Sequence, residues 1–458
     1  MPQATPRTSP SRDAVLFAGA AGAAGAASAN LAAGALAPPL PARPAPAAPA
    51  APAAPPLLRR GAARRILVAD YSGHPFQVQL SRALAKRPGR VVRHVFSAAF
   101  QTPKGALARR PGDPDGFDVA GLRLEKPFAK DALLKRRAQE IEFGRLLAAD
   151  ITAFSPDVVI SSNMPLDAQR IVQRATRRAG ARFVFWLQDI YSDAIGKLLS
   201  RRLPLIGRAA GGVYRALEMR MLRESDSVVA ITDDFVAPLL RAGVDPHRIE
   251  VIENWAPLDE LAPLPRDNPA AARHLPAGDA VRIVYSGTLG LKHDPSALLA
   301  LAHALPRARV SVFSEGRFAD ALAAQGAAQK NFEVAGWVDF SDLPGVLSGA
   351  DIVVALLEAD AGAFSAPSKV LSYLAVGRPV LAAIPHGNLA RRLIEETGAG
   401  LVAAPGDAEG LIARARRLAE DPALRARMGE AGRAHARRAF DIDAIAARFE
   451  ALPALAAA

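Results

Sequence analysis

The sequence predicts two doubly wound α/β domains in tandem, on three observations. From Arg64 onward, short continuous apolar runs alternate with segments of amphipathic helical spacing. The rhythm breaks once, across a Pro/Ala-rich stretch without periodicity between Asn254 and Ala280, and then restarts. The chain has 458 residues, half of them hydrophobic, which is too long for one ordinary domain and enough for two cores. Strands that are apolar along their whole length are buried on both faces. Separated by helices, they belong to a parallel sheet covered on both sides.

Residues 1–63 stand outside this pattern. The segment up to residue 65 is dominated by Ala, Pro and Gly, and carries Arg7, Arg12, Arg43, Arg59, Arg60, Arg64 and Arg65 against Asp13 alone. Such a composition buries too little surface to fold and reads as a disordered tail. Ala14 to Ala37 has the length of a signal peptide or a weak span but few large apolar residues. The first domain is expected over residues 64–262. "RILVAD" reads as a strand, "FQVQLSRALAKR" as a helix, and "VVRHVF", "DVVISS", "RFVFWLQD", "SVVAIT" and "IEVIEN" as strands. Residues 263–280 read as a linker. The second domain, 281–438, has strands "RIVYSG", "RVSVFSE", "FEVAGW", "DIVVALLE", "PVLAAIP" and "GLVAAP" with helices between them. A closing helix in 439–458 is expected to return to the first domain. Tandem domains of this kind hold ligands in the cleft facing the carboxyl ends of their strands.

The absence of cysteine excludes disulfides, thiolate metal sites and thiol catalysis. A formal charge of +12 points to an anionic partner, but only 6% of residues are aromatic, few for stacking on bases, and no nucleic acid partner is expected. None of the eight histidines has metal-ligand spacing, and the D-x-D matches at Asp113–Asp115 and Asp441–Asp443 fall in a loop and the tail. Neither a metal nor a cofactor is expected.

Two stretches carry chemistry. After "RIVYSG" the chain reads "TLGLKHDP": Gly287 and Gly290 allow close backbone approach, and Lys292 supplies a charge for a phosphate. An ordinary turn with a solvated lysine explains the same residues. In "FSAPSKVLSYLAVGRPVLAA" a helix opens at Pro367-Ser368 with Lys369 in its first turn. A helix N-terminus disfavours a cation, so an anionic ligand held by the amides of Phe364, Ser365, Ala366 and Ser368 and by Lys369 makes sense of it. A solvated lysine at a frayed end is the plain alternative.

"VFSEG", "VAGWVDFSDLPGVLSGADIVVALLE", "APSKVLSYLAVGRPVLAA" and "GAGLVAAPGDAEGLIARARRLAEDP" resemble the donor-binding half of the GT-B glycosyltransferases of family 4, and "ITDDF…VIENWAPLDEL" resembles the close of that family's other half. The similarity spans roughly residues 64–455 and is nearest to the bacterial branch that builds exopolysaccharide, capsule or O-antigen units on a lipid carrier. It implies two Rossmann-like domains and a retaining, metal-independent transfer of a sugar from a nucleotide-diphosphate donor to a saccharide or lipid-linked acceptor. Gly287, Gly290, Lys292, Glu315, Gly336, Trp337, Phe364, Ser365, Ala366, Ser368 and Lys369 would bind the donor, with Gly336-Trp337-Val338 at the base. Asp189, Gln188 and His74 would be catalytic, and Gly73, Ser162 and Asn163 would face the acceptor.

The chain departs from the family twice. The Glu-x7-Glu pattern would fall on Phe364 and Ser372, neither acidic, and Gln188-Asp189 stands where many members have His-Asp. Gln188 can hydrogen-bond a hydroxyl but cannot act as a base. Basic–apolar segments, Lys126, Lys130, Lys135, Arg136 and Arg137 with Phe128, Leu133 and Leu134, then Arg201, Arg202 and Arg208, suit an anionic lipid surface. A cytoplasmic enzyme, peripheral on the inner face of the membrane, is the resulting expectation. A silent nucleotide-sugar-binding scaffold and a nucleotide-sugar epimerase of the same fold are the alternatives.

Overall fold

The computed structural model describes residues 63–99, 107–128, 132–193, 195–196, 204–290, 293–359 and 368–456. The tail reading lies outside the described residues up to 62, as do Lys292, Phe364, Ser365, Ala366 and Pro367.

The first sheet is parallel throughout, built from β1 (Arg64–Asp70), β2 (Arg90–Ser97), β3 (Phe117–Leu122), β4 (Val158–Ser162), β5 (Arg182–Leu187), β6 (Ser227–Ala230) and β7 (Ile249–Val251). Its order is β3-β2-β1-β4-β5-β6-β7, so the direction of winding reverses between β1 and β4. Ile66 lies beside Val158 and Asp70 beside Ser162 in that central pair. Strands β1, β4 and β5 are buried almost end to end, which is why they read as unbroken apolar runs. β3 went unread in the sequence. It is an edge strand with only Phe117 fully buried, so it lacks the apolar run. Helices α1 (Pro75–Ala85), α2 (Leu133–Phe154), α3 (Leu166–Arg178), α4 (Pro204–Arg223) and α5 (Val236–Arg241) connect these strands.

Within the 263–280 stretch, read as an aperiodic linker, a short helix α6 (Pro269–His274) forms. Asn268 caps it, its side-chain oxygen accepting the amides of Ala270 and Ala271 at 3.0 Å, while its Nδ2 donates to Gly345 O at 2.8 Å. A cap followed by proline is a helix start that so short an apolar pattern did not reveal.

The second sheet, also parallel, comprises β8 (Arg282–Ser286), β9 (Arg309–Phe313), β10 (Phe332–Ala335), β11 (Ile352–Leu356), β12 (Val380–Ala383) and β13 (Gly400–Ala403). The order β10-β9-β8-β11-β12-β13 puts its reversal between β8 and β11. Its helices are α7 (Ser296–Ala304), α8 (Arg317–Gly326), α9 (Leu343–Gly349), α10 (Ser368–Ala375), α11 (Leu389–Thr397), α12 (Ala408–Glu420) and α13 (Pro422–Ala439).

The last helices, α14 (Ile442–Glu450) and α15 (Pro453–Ala456), pack on the first sheet and on α1. Phe449 is fully buried with its ring 4.9 Å from that of Trp186, which stacks on Trp255 at 5.8 Å. Arg64 donates to Leu455 O, Ala454 N to Ser227 Oγ at 3.0 Å, and Arg448 pairs with Glu250 at 2.6 Å.

Candidate active site

Both reversals place chain turns where a doubly wound sheet opens a crevice beyond its strand ends. In the second domain the turn after β8 begins at Gly287, whose φ of +136° L side chains rarely adopt. A Cβ there would stand 3.1 Å from both Cε and Nζ of Lys369. The missing side chain therefore lets the lysine lie against the turn. Lys369, second residue of α10, donates from Nζ to Tyr285 Oη at 2.6 Å and sits 3.9 Å above that ring. Tyr285 Oη donates onward to Thr288 O at 2.9 Å. Burial pulls Lys369 down to about 7. Parts of the residue remain exposed, while its amine is packed against the Tyr285 ring and the Gly287 turn. It is not the solvated lysine of a frayed end.

Around this amine the other donor candidates divide. Gly290 is buried and its amide is committed to His293 Nδ1 at 3.1 Å, so it shapes the turn. Ser368 is exposed at the first turn of α10. Glu315, after β9, accepts the Trp337 amide at 3.2 Å and lies 3.2 Å from the Cβ position of Gly336. Glu315 and Gly336 are exposed and Trp337 half-buried, together forming a ledge at the ends of β9 and β10, while the Trp337 indole N–H is buried without a partner. A depression of about 70 Å³ lined by Asp294, Glu358, Ala383 and Asp407 does not include Lys369, Tyr285 or Gly287. Asp407 is spent there as the cap of α12, and Asp294 accepts the amide and hydroxyl of Ser296 at the start of α7.

In the first domain Asp70 ends β1, fully buried, and accepts the amides of Ser72, at 3.0 Å, and His74. His74 Nδ1 lies 3.3 Å from Asp70. Burial pushes the Asp70 carboxyl up, but the charge and hydrogen bonds of His74, with His94 nearby, outweigh it and hold the group below the usual range. Gly73, at φ +73°, makes the turn between them. Asn163 follows β4 at φ +55°, rare for a non-glycine residue. Its Nδ2 donates to Ser72 Oγ at 2.8 Å and its Oδ1 accepts the Tyr191 hydroxyl. Ser162, expected to face the acceptor, is instead fully buried and accepts Gln77 Nε2 at 2.7 Å. Its neighbour Ser161, on the other face of the sheet, is fully buried as well and donates to Gln169 Oε1 at 2.5 Å, because β4 is a central strand covered on both sides.

Gln188 and Asn254 exchange two side-chain hydrogen bonds, at 3.2 and 2.6 Å, across the ends of β5 and β7. Asp189 follows, partly buried. The next turn is held from beneath by Glu218 of α4, fully buried, which accepts the amides of Tyr191 and Ser192 at 3.0 Å. Burial pushes Glu218 up to about 7. The two domains meet at these ends: Arg392 of α11 pairs with Asp234, beyond β6.

A model of the "Glycosyl transferase 4-like domain" matches residues 74–255, and one of "Glycosyl transferases group 1" matches residues 280–421, together well over half the chain. The chain belongs to the GT-B glycosyltransferases of family 4. It is thus an enzyme that transfers sugars. This glycosyltransferase is 25% identical over 288 residues to a "Probable glycosyltransferase WbjE" of Pseudomonas aeruginosa, covering 61% of this chain and 70% of the relative. The sucrose-phosphate synthase of Thermosynechococcus elongatus has the same fold, with a TM-score of 0.63, 17% identity and coverage of 84% and 97% of the two chains. So does Anabaena HepE in complex with UDP and glucose, with a TM-score of 0.57, 16% identity and coverage of 84% and 97%. WaaG, a glycosyltransferase involved in lipopolysaccharide biosynthesis, has a TM-score of 0.58, 15% identity and coverage of 84% and 99%.

The glycosyltransferase's basic–apolar segment is less available than its sequence suggests. Arg136 is buried and pairs with Glu140 at 2.9 Å, and Arg137 with Asp167 at 2.7 Å. An i, i+4 acid and an acid on the neighbouring helix claim them. Lys126, Lys135, Leu134 and Arg208 are exposed, as is Val213; Lys130, Arg201 and Arg202 lie outside the described residues. Among the described residues no helix is long and apolar enough to cross a membrane. Asp113 of the first D-x-D pairs with Arg82 at 2.9 Å and Asp441 of the second caps α14. Sequence reading missed Asp70, Tyr285 and Tyr191. Tyr285 lies in an apolar strand and reads as core. Only the acid at the end of "RILVAD" could have drawn notice.

Proposed function

We propose that this enzyme takes a nucleoside-diphosphate sugar as donor and a saccharide, lipid-linked, as acceptor, with retention at the anomeric carbon and without a metal. The observation that carries the donor half is the enclosed Lys369 amine beside Gly287, at the reversal of the second sheet, with a phenol rather than a carboxylate as its described partner. Uncompensated buried cations call for an anion. Related folds bound to UDP and to UDP-glucose support a nucleotide sugar.

In the reaction proposed, the bond between C1 of the sugar and the diphosphate oxygen breaks, and its electron pair leaves with the diphosphate. Lys369 and Lys292 stabilise that growing charge. The acceptor hydroxyl bonds to C1 from the face the leaving group vacates, and its proton passes to the departing phosphate oxygen. Gln188 fits such a scheme because an amide orients a hydroxyl without taking its proton. Asp189 and His74 would hold sugar hydroxyls, with Gly73 and Asn163 on the acceptor side. Glu315, Gly336 and Trp337 would meet the base. The exposed Leu134, Val213, Lys126, Lys135 and Arg208 support contact with an anionic membrane face carrying a lipid-linked acceptor of surface polysaccharide synthesis.

The test is a thermal-shift panel of UDP-, GDP- and dTDP-sugars. At least one raises the melting temperature of the wild type, and Lys292→Ala or Lys369→Ala abolishes the shift. No shift with any of them sinks the donor site. Turnover onto a lipid-linked saccharide, with the product anomer read by NMR, tests the acceptor and the retention.

A further inference from the structure

We infer that donor binding is coupled to uptake of a proton by Lys369, and that Tyr285 is the positioning residue that sets this coupling. The inference rests on the donor-site reading above and deepens it.

The geometry is an amine in a closed setting. From β8, Tyr285 presents both its ring, 3.9 Å from Nζ, and its oxygen, at 2.6 Å. From the turn, Gly287 lies against Cε and Nζ. From α10 itself, the titratable neighbour one turn on is Tyr373, whose hydroxyl is engaged with Val354 O at 3.1 Å. Arg433 of α13 reaches α10 only at its far end, on Ala375 O. Among the described residues no charged group contributes to the lowering of Lys369; burial does. Tyr285 is itself buried, and its proton is committed to Thr288 O. Its oxygen is therefore turned toward the lysine as an acceptor. A phenol accepts a hydrogen bond from either form of the amine, whereas a carboxylate would lock it charged. Tyr285 thus holds Lys369 in place while leaving its charge open. A diphosphate arriving beside it favours the charged form, so the neutral fraction must take up a proton as the ligand binds.

The expected result follows from a midpoint near 7. The full-length protein is titrated calorimetrically with UDP-glucose, GDP-mannose and dTDP-glucose in buffers of different ionisation heat. These diphosphate diesters have no phosphate group titrating in the range used. Proton uptake rises from about 0.1 per ligand at pH 6 to about 0.9 at pH 8, and affinity falls roughly tenfold over the same range. Tyr285→Phe removes the acceptor and moves both midpoints to lower pH. Lys369→Arg, permanently charged, binds without uptake. Uptake that persists in Lys369→Arg comes from another group, such as a histidine, and overturns the inference. Binding without uptake at pH 8 in the wild type overturns it as well, as does a folded Tyr285→Phe whose pH profile superimposes on the wild type. If none of the nucleotide sugars binds, the donor-site reading itself has failed, a result distinct from binding without uptake.

Discussion

At Gly287 two demands meet in one position: a φ of +136° and an amine 3.1 Å from where a Cβ would be. Gly287→Ala must either move the turn or push Lys369 off Tyr285. The backbone strain alone costs about 1–3 kcal/mol. Losing the lysine's register on a diphosphate weakens donor binding by a further factor of about ten. Chemical denaturation and calorimetry on the same variant read the two effects separately. An unchanged affinity for every nucleotide sugar that binds the wild type would mean that the close approach serves the turn alone. The cluster at Asp70 has a different character. Its members satisfy one another, with Asp70 on two amides and Asn163 bridging Ser72 to Tyr191, leaving the His74 ring as the partly exposed element. Rigid support beneath a half-exposed ring is what orienting a sugar hydroxyl requires.

At the scale of elements, the turn that carries Gln188 and Asp189 depends on a helix far away in sequence. Glu218 of α4 holds the amides of Tyr191 and Ser192 from a fully buried position. Its pKa is raised to about 7 by burial, above the 4.5 of an unfolded glutamate. The stability it supports is therefore whole below pH 4.5 and is lost as pH rises through 7. Glu218→Gln gives up one of the two bonds but removes the titration. Between pH 4.5 and 8 the wild type loses about 1–3 kcal/mol relative to this variant in urea unfolding. A constant difference across that range would contradict the burial argument. His94 works in the opposite sense. Burial lowers it to about 4, so its contribution is present above about 6.5 and fades as pH falls. The same elements mark how far the sequence could be read. The unbroken apolar runs of β1, β4 and β5 announced a parallel sheet because burial on both faces leaves no polar alternation. Edge strand β3, with Asp118 and Gly121 at exposed positions, left no such trace. Lys369 and Gly287 were visible as chemistry, being a cation and a glycine at strand and helix ends. Tyr285 was not: an aromatic inside "RIVYSG" looks like packing, and its bond to Lys369 spans 84 residues. Ser162 failed for the matching reason. Both hydroxyls at the end of β4 are claimed by helix glutamines, Gln77 and Gln169, and such partners are not written in a single strand.

At the scale of the whole molecule, the ties between the two domains include the chain passing forward after β7, its return after α13, and the bridge from Arg392 to Asp234 beside the crevice. The return is substantial. Phe449 fills a cavity against Trp186 in the first domain, itself stacked on Trp255. Phe449→Ala is expected to cost about 3–5 kcal/mol, felt in the unfolding of the first domain rather than the second. Hydrogen exchange would localise it, with lost protection in β1, β5 and α1. Loss confined to α12 and α13 would mean that α14 belongs energetically to the other half.

This arrangement also has a consequence for how the protein is made. A ribosome delivers β1 to β7 long before residues 442–456, yet the aromatic face of that first sheet stays uncovered until Phe449 arrives. The half synthesised second can close its own sheet and helices earlier. The order of birth and the order of completion are therefore reversed. For some 190 residues of synthesis the nascent first half must keep an open apolar seam from meeting its neighbours.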